Sequence, residues 1–317
     1  MSEKYDLVII GGGPGGMAAG IYAARSKLKT VILEEKPNQG GQCYITEEIE
    51  NYPGFPESSG PALTEAFKKH AEKFGVEFKR ARAEKIELVP NSPTRIVHGS
   101  DGVKYECLAV VVATGASARE LGCKGEKEHW GKGVSYCATC DGAFFEECEI
   151  VVIGGGDSAV EEAMYLTKFA DKVTIIHRRD ELRAAKSIQE KAFANPKMAF
   201  KWNAVVEEVC GEGLVDSVIL KDTKTGETSK FDTEGVFVFI GHNPQTAFIQ
   251  GLVNLDENGY ILTNGKMETN VPGIYGVGDV IQKESRQVVT AAADGALAGI
   301  WAGHYIDDIK AKMAMKK

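Results

Sequence analysis

Cys137-Ala138-Thr139-Cys140, followed at once by Asp141, sets two thiols two residues apart. Thiols at this spacing open and close a disulfide with the shortest practical loop, so the segment reads as a dithiol redox centre. Structural zinc would need four ligands, usually a second cysteine pair at matched spacing. Cys107, Cys123, Cys148 and Cys210 each stand alone, so no metal site is expected. The pair lies 14 residues upstream of a glycine-rich turn at Gly154, in a chain with another such turn at Gly11.

One supersecondary unit is used twice. Tyr5 to Ile10 is an apolar run that reads as a buried parallel strand, and GGGPGGMAAGIYAAR then opens a helix before a second strand, Lys29 to Glu34. Glu149 to Ile153 repeats the pattern through GGGDSAVEEAMYLTKF into the strand Lys172 to His177. In such a βαβ unit one small residue permits the tight turn, one lets the backbone approach a pyrophosphate, and one allows close helix packing. Gly11, Gly13 and Gly16 fill these roles first; Gly154, Gly156 and Ala159 fill them second.

The ends of the second strands differ, and the difference assigns the ligands. Glu34 can accept hydrogen bonds from adenosine ribose hydroxyls and would repel a 2′-phosphate, which favours FAD or NAD in the first unit. The later strand instead runs into His177-Arg178-Arg179, with Arg183 one helical turn on. Guanidinium groups there would clamp a 2′-phosphate, favouring NADPH; a solvated basic face is the plainer alternative. Leu108 to Ala113 forms another apolar strand, closing in Thr114-Gly115-Ala116, where a small-residue turn can pass beside a nucleotide or simply end a strand. Near the C-terminus GIYGVGD ends a strand at Gly278-Asp279, and Arg286 to Gly303 reads as a helix whose start would stabilise negative charge on a reduced flavin. Because this piece follows the NADPH unit, the flavin domain must be discontinuous and the two connections would form a hinge.

Composition agrees with a two-domain enzyme. The chain has 317 residues, 43% hydrophobic and 26% charged, beyond the size at which one core usually stops growing. No apolar run reaches the roughly 18 residues of a membrane-spanning helix. A net charge of −8 offers no basic footprint for nucleic acid, and Lys310, Lys312, Lys316 and Lys317 look like a solvated helix end. The start, MSEKYD, enters a strand with no secretory leader before it, so a cytoplasmic location is expected, where seven cysteines would not form a structural disulfide framework.

GGGPGG, GGQ with ENYPGFP downstream, VVATGA, CATCDG, GGGDSAVEEA, HRRDELRA, GHNPQT, GVGD and RQVVTAAADGA occur here in order. In this the chain resembles the short, bacterial-type thioredoxin reductases over essentially its full length. The resemblance implies an α/β fold of two Rossmann-like, three-layer ββα domains. Residues 1–117 and 245–317 would bind FAD, and 118–244 would bind NADPH and carry the redox pair. It also implies a homodimer built through the flavin domains and electron delivery to thioredoxin. Cofactor contacts carried over on matching motif positions include Pro14, Gly41, Gln42, Asn51, Thr114, Gly115, Asp157, Ser158, Gly278, Asp279, Arg286, Gln287 and Val288. Cys140 would be the thiol that meets the flavin, and Cys137 the nucleophile that attacks thioredoxin.

Attack needs a thiolate, which a helix N-terminus favours. Asp141 is then placed to protonate the leaving thiolate, provided partial burial or a nearby thiolate raises its pKa; helix capping is a compatible second role. The pair and the nicotinamide belong to one domain while the flavin belongs to the other, so alternation between two poses is expected. A related flavoprotein using NADH or reduced ferredoxin is the nearest rival, and a redox sensor that merely cycles its disulfide is the rival outside enzymes. Departures from the family pattern are few. Cys43 follows Gly40-Gly41-Gln42, but Glu48 occupies the position of a second thiol, so Cys43 is expected to be a packing residue. Ser285 replaces an aromatic, Lys132 stands where arginine is frequent for docking, and Phe144 and Phe145 are apolar docking candidates.

Overall fold

The computed structural model describes residues 2–46 and 49–315; Glu48, Lys316 and Lys317 lie outside the described residues. The chain forms two compact units, Met1–Ser117 with Asn243–Lys317, and Ala118–His242.

The first unit is built on a five-stranded parallel sheet in the order Ile274–Gly276, Ala109–Val112, Leu7–Ile10, Thr30–Glu34, Glu77–Arg80. Leu7–Ile10 and Ala109–Val112 are buried at every position, which is why both are unbroken apolar runs rather than alternating ones. Helices Pro14–Arg25 and Val288–Ala314 pack through small residues. A Cβ on Gly295 would fall 2.0 Å from the Gly15 carbonyl oxygen, and one on Gly299 would fall 2.6 Å from that of Ala19. A second sheet, Ser2–Lys4, Lys104–Cys107, Arg95–Gly99, Ala83–Leu88, brings Ile86, Val97 and Tyr105 into the same core. The long helix begins later than the sequence suggests and ends later as well. Gln287 and Thr290 cap each other reciprocally at its start, and no Gly or Pro after Gly303 interrupts it before Ala314.

The second unit repeats the parallel sheet as Val134–Ser135, Gly235–Phe239, Glu149–Gly154, Lys172–Ile176, Met198–Lys201. Alternate side chains serve two cores. Ile150, Val152 and Phe237 pack with Val160, Ala163 and Leu166 of helix Asp157–Leu166. Val151, Ile153, Val236 and Val238 meet Val206, Val218 and Leu220 of the antiparallel sheet Ala204–Cys210, Ser217–Asp222, Thr228–Asp232. The chain passes between units within strands Ala116–Ala118 and His242–Pro244, which pair with each other as a two-stranded ribbon.

Candidate functional site

Cys137 and Cys140 are joined by a disulfide, Sγ to Sγ 2.12 Å. Cys137 is the N-cap of a single helical turn, Ala138–Asp141, which tightens into the 3-10 turn Gly142–Phe145. Buried Ala138 pins the turn to the core, and the Asp141 N–H closes it on the Cys137 carbonyl at 3.1 Å. Thr139 Oγ1 lies 3.5 Å from Cys137 Sγ. Burial pushes the Asp141 carboxyl above the ordinary aspartate range, opposed by a hydrogen bond from Ser135. That hydroxyl donates to Oδ2 at 2.5 Å, while its own oxygen accepts the Cys137 N–H at 3.1 Å. Sequence reasoning missed Ser135; a hydroxyl two residues before a turn residue is the local signal that would have found it. Phe144 is 49% exposed, whereas Phe145 packs edge-on against Phe237 at 5.0 Å, so the two phenylalanines differ in what they can do. Lys132 is exposed beside the segment.

The first glycine turn is closed on one side and open on the other. A Cβ on Gly11 would strike the Ala113 carbonyl at 2.4 Å, and one on Gly16 would strike the Gly11 carbonyl at 2.0 Å, but one on Gly13 would meet nothing within 4 Å. Pro14 starts the helix that follows, and Gly41 opens beside Gly13. Glu34 is already engaged: Oε2 accepts the Gly12 N–H at 2.8 Å and Oε1 the Lys36 N–H at 2.9 Å. Gln39 Oε1, another residue the sequence did not single out, is buried beside Gly12 without a hydrogen-bond partner. Asn51 donates to Gln287 Oε1 at 3.2 Å, and Gln42 is the exposed N-cap of the 3-10 turn Cys43–Ile45. Thr114 donates to the Gln245 carbonyl at 2.8 Å, and the Gly115 carbonyl accepts the Gln245 N–H at 3.0 Å.

Gly278 donates to Asp294 Oδ2 at 3.1 Å, and Lys283 reaches the same oxygen at 2.6 Å. Asp279 is pushed up by burial against the pull of Lys283 and Arg286. Asp279 Oδ1 and Arg286 Nε are both buried without a hydrogen-bond partner, although the Arg286 guanidinium covers the Tyr260 ring at 4.3 Å. Orphaned atoms of this kind are what a bound polar group would satisfy. Val288 packs on the cluster of Cys43, Ile49 and Leu63. Burial there pushes the Cys43 thiol up to about 12, consistent with a packing residue rather than a nucleophile.

The second glycine turn differs in what surrounds it. A Cβ on Gly154 would lie 2.5 Å from the Ala159 methyl, while Gly156 faces open space. Arg183 is not one helical turn beyond Arg179, because residues 178–185 form a loop. The loop folds back onto the turn through Arg183 N–H and Ala184 N–H to the Gly155 carbonyl at 2.7 and 3.1 Å, and Ala185 N–H to Asp157 Oδ1 at 2.7 Å. Ser158 is exposed next to Asp157. Among the described residues the guanidinium groups of Arg178, Arg179 and Arg183, all exposed, form no hydrogen bond or ion pair. His177 Nδ1 faces the Gly154 carbonyl at 2.9 Å and so carries the proton. Burial and the three arginines hold the imidazole below its ordinary value, leaving Nε2 as a buried acceptor with no partner.

Among the described residues no cluster of His, Cys, Asp or Glu could hold a metal ion, and no helix is long and apolar enough to cross a membrane. The family model for pyridine nucleotide-disulphide oxidoreductases matches residues 5–295, and the chain belongs to that family. It is 52% identical to a thioredoxin reductase of Peptoclostridium litorale, over 98% of this chain and 100% of that one. It is 47% identical to a thioredoxin reductase of Bacillus subtilis, over 98% of both. The crystal structure of thioredoxin reductase from Streptococcus pyogenes matches with a TM-score of 0.91 at 47% identity, over 96% of this chain and 99% of that one.

Proposed function

We propose that this chain is a thioredoxin-disulfide reductase, passing electrons from NADPH through FAD and the Cys137/Cys140 pair to the disulfide of thioredoxin or a thioredoxin-like protein. The observation that carries the proposal is the closed Cys137–Cys140 bond with a mostly buried acid, Asp141, behind it.

FAD suits the first unit: the open face at Gly13 and Gly41 admits a pyrophosphate, and Asp279 Oδ1 and Arg286 Nε await polar partners. NADPH suits the second unit, where Gly156 is open, His177 Nε2 lacks a donor and three guanidinium groups are free for a 2′-phosphate. Bound together, the two cofactors would supply the two electrons that open the disulfide. The Cys137 thiolate then attacks the partner disulfide, forming a mixed disulfide and expelling one partner thiolate, which takes a proton from Asp141. Cys140 attacks the Cys137 sulfur, the internal bond re-forms, and the partner leaves as a dithiol. Val289, Leu297 and Ile300 are exposed apolar residues on the long helix, near exposed Tyr22, and suit a homodimer formed through the first unit. The protein would work in the cytoplasm, with the second unit turning about its two connections; a crosslink between the units is expected to stop multiple turnover.

The test is an anaerobic titration with NADPH and, separately, NADH, following flavin absorbance and then adding thioredoxin. Bleaching by NADPH in preference to NADH, reversed by thioredoxin over many cycles, is the expected result. Equal bleaching by both donors, or no return of colour with thioredoxin, overturns the proposal.

A further inference from the structure

Ser135 ends the short strand Val134–Ser135 and is only 3% exposed. Three polar atoms surround its Oγ: Asp141 Oδ2 at 2.5 Å, the Cys137 backbone N at 3.1 Å and the Cys137 carbonyl oxygen at 3.3 Å. A serine hydroxyl has one proton to give and two lone pairs with which to accept. The Cys137 N–H takes one lone pair, which leaves the proton and the other lone pair for the two oxygens. When Asp141 is ionised, the hydroxyl proton points to Oδ2. When Asp141 is protonated, its O–H can donate to Oγ while the serine proton turns to the Cys137 carbonyl. Either way Asp141 and the Cys137 N–H stay bonded to Oγ; only the Cys137 carbonyl, which also accepts the Asp141 N–H at 3.1 Å, gains or loses the serine proton, and no heavy atom moves.

We propose that Ser135 is the positioning residue of the redox turn, holding Asp141 in place in both protonation states by turning its hydroxyl between Asp141 Oδ2 and the Cys137 carbonyl. The inference rests on Asp141 being the acid of the proposed thioredoxin reduction. The proton balance is simple. Asp141 gives its proton to the leaving thiolate, which becomes a thiol; Asp141 becomes a carboxylate, and the Ser135 proton swings onto it until solvent returns a proton. The same chain of bonds ties the backbone of the attacking cysteine to the acid, so the two cannot drift apart. Asp141 sits where burial disfavours its charge, and the serine donor offsets part of that penalty.

Ser135→Thr and Ser135→Val have the same shape and differ in the hydroxyl, which separates hydrogen bonding from packing. The FAD-bound enzyme would be assayed with thioredoxin across pH, with Asp141→Asn alongside. Activity that needs protonated Asp141 falls as pH rises through its titration. Removing the donor disfavours the carboxylate, so Ser135→Val should move that limb upward by about one pH unit and lower the plateau about tenfold. Ser135→Thr should keep the wild-type limb, and Ser135→Val should shift nothing further in an Asp141→Asn background. Ser135→Ala, which removes the same proton without added volume, is expected to behave as Ser135→Val and serves if the larger side chains do not fold. Identical limbs in the Thr, Val and Ala variants, while Asp141→Asn removes the limb, would overturn the role of Ser135 alone. A limb that survives Asp141→Asn would overturn the acid assignment, and this proposal with it.

Discussion

Lys283 and Asp294 form an ion pair at 2.6 Å with side chains only 13% and 15% exposed. Asp294 Oδ2 also holds the Gly278 N–H, so the pair fastens the 278–287 loop, with Asp279 and Arg286 on it, to the long helix. Lys283→Met keeps most of the apolar stem and removes the charge, leaving the carboxylate with one backbone donor at that oxygen. At an effective dielectric near 20, the lost attraction at this distance is about 6 kcal/mol. Part of that only repays desolvation, and removing one partner of a buried pair costs about 3–5 kcal/mol. Because each side chain keeps some solvent contact, the lower end applies. In a unit of about 190 residues, about 3 kcal/mol should lower the melting temperature by about 6–12 °C. Thermal unfolding by circular dichroism, with flavin release followed in parallel, measures the loss. The double variant Lys283→Met/Asp294→Leu carries no unpaired charge and should recover most of it. A single variant that melts within about 2 °C of the parent, or a double variant no better than the single, refutes the reasoning.

Arg178→Ala with Arg179→Ala should raise KM for NADPH by about 10- to 100-fold, the scale of one or two charge-assisted hydrogen bonds, and leave turnover with NADH unchanged; steady-state rates with both donors decide it, and equal losses would count against a 2′-phosphate site. Asp141→Asn should slow thioredoxin reduction by about 10²-fold or more. It should also be at least as stable as the parent at neutral pH. The folded pKa of Asp141 is raised by burial, so the stability it contributes is full below its unfolded value and lost as pH rises through the folded one; the advantage of asparagine should therefore vanish below about pH 4. Denaturant titrations at the two pH values show this, and an asparagine variant weaker at neutral pH contradicts it. Cys43→Ser places a hydroxyl in an apolar cluster and should cost about 1–3 kcal/mol in chemical denaturation without changing turnover; the parent thiol, pushed up to about 12, should resist alkylation in the native protein.

The fold class was legible because buried parallel strands must be unbroken apolar runs, and two of them, Leu7–Ile10 and Glu149–Gly154, lead through a glycine turn into a helix. The antiparallel sheets were harder to see. Ala83–Leu88 mixes buried and exposed positions irregularly, Arg95–Gly99 alternates in burial but puts an arginine and a glycine at buried positions, and a register shift at Val206/Glu208 breaks the alternation of Ala204–Cys210. Local composition also could not place Arg183, since its loop is shaped by the Gly155 carbonyl and Asp157, contacts that span more than a helical turn. At the redox turn the bonded cysteines and the acid were visible as a tetrapeptide and its neighbour. Ser135 was not singled out: its hydroxyl two residues ahead of Cys137 signals a local turn bond, but its second bond, to Asp141 six residues on, has no local spacing to announce it. The Lys283–Asp294 pair was equally silent: its partners are 11 residues apart across a turn, with no helical or strand spacing to suggest contact.

One turn used twice has been given opposite electrostatics, and the structural cost of changing each copy differs. In the first unit the acidic strand end is part of the framework, because Glu34 binds the Gly12 and Lys36 N–H groups with separate oxygens. Removing its charge would change ligand preference and loosen the turn together. In the second unit the framework is backbone, with the Gly155 carbonyl and Asp157 holding the arginine loop, while the guanidinium groups hold nothing among the described residues. Arg178 and Arg179 can therefore be replaced without disturbing the turn that presents them. It follows that electron-donor preference should be separable from folding by substitution in the second unit, whereas the corresponding change at Glu34 should not.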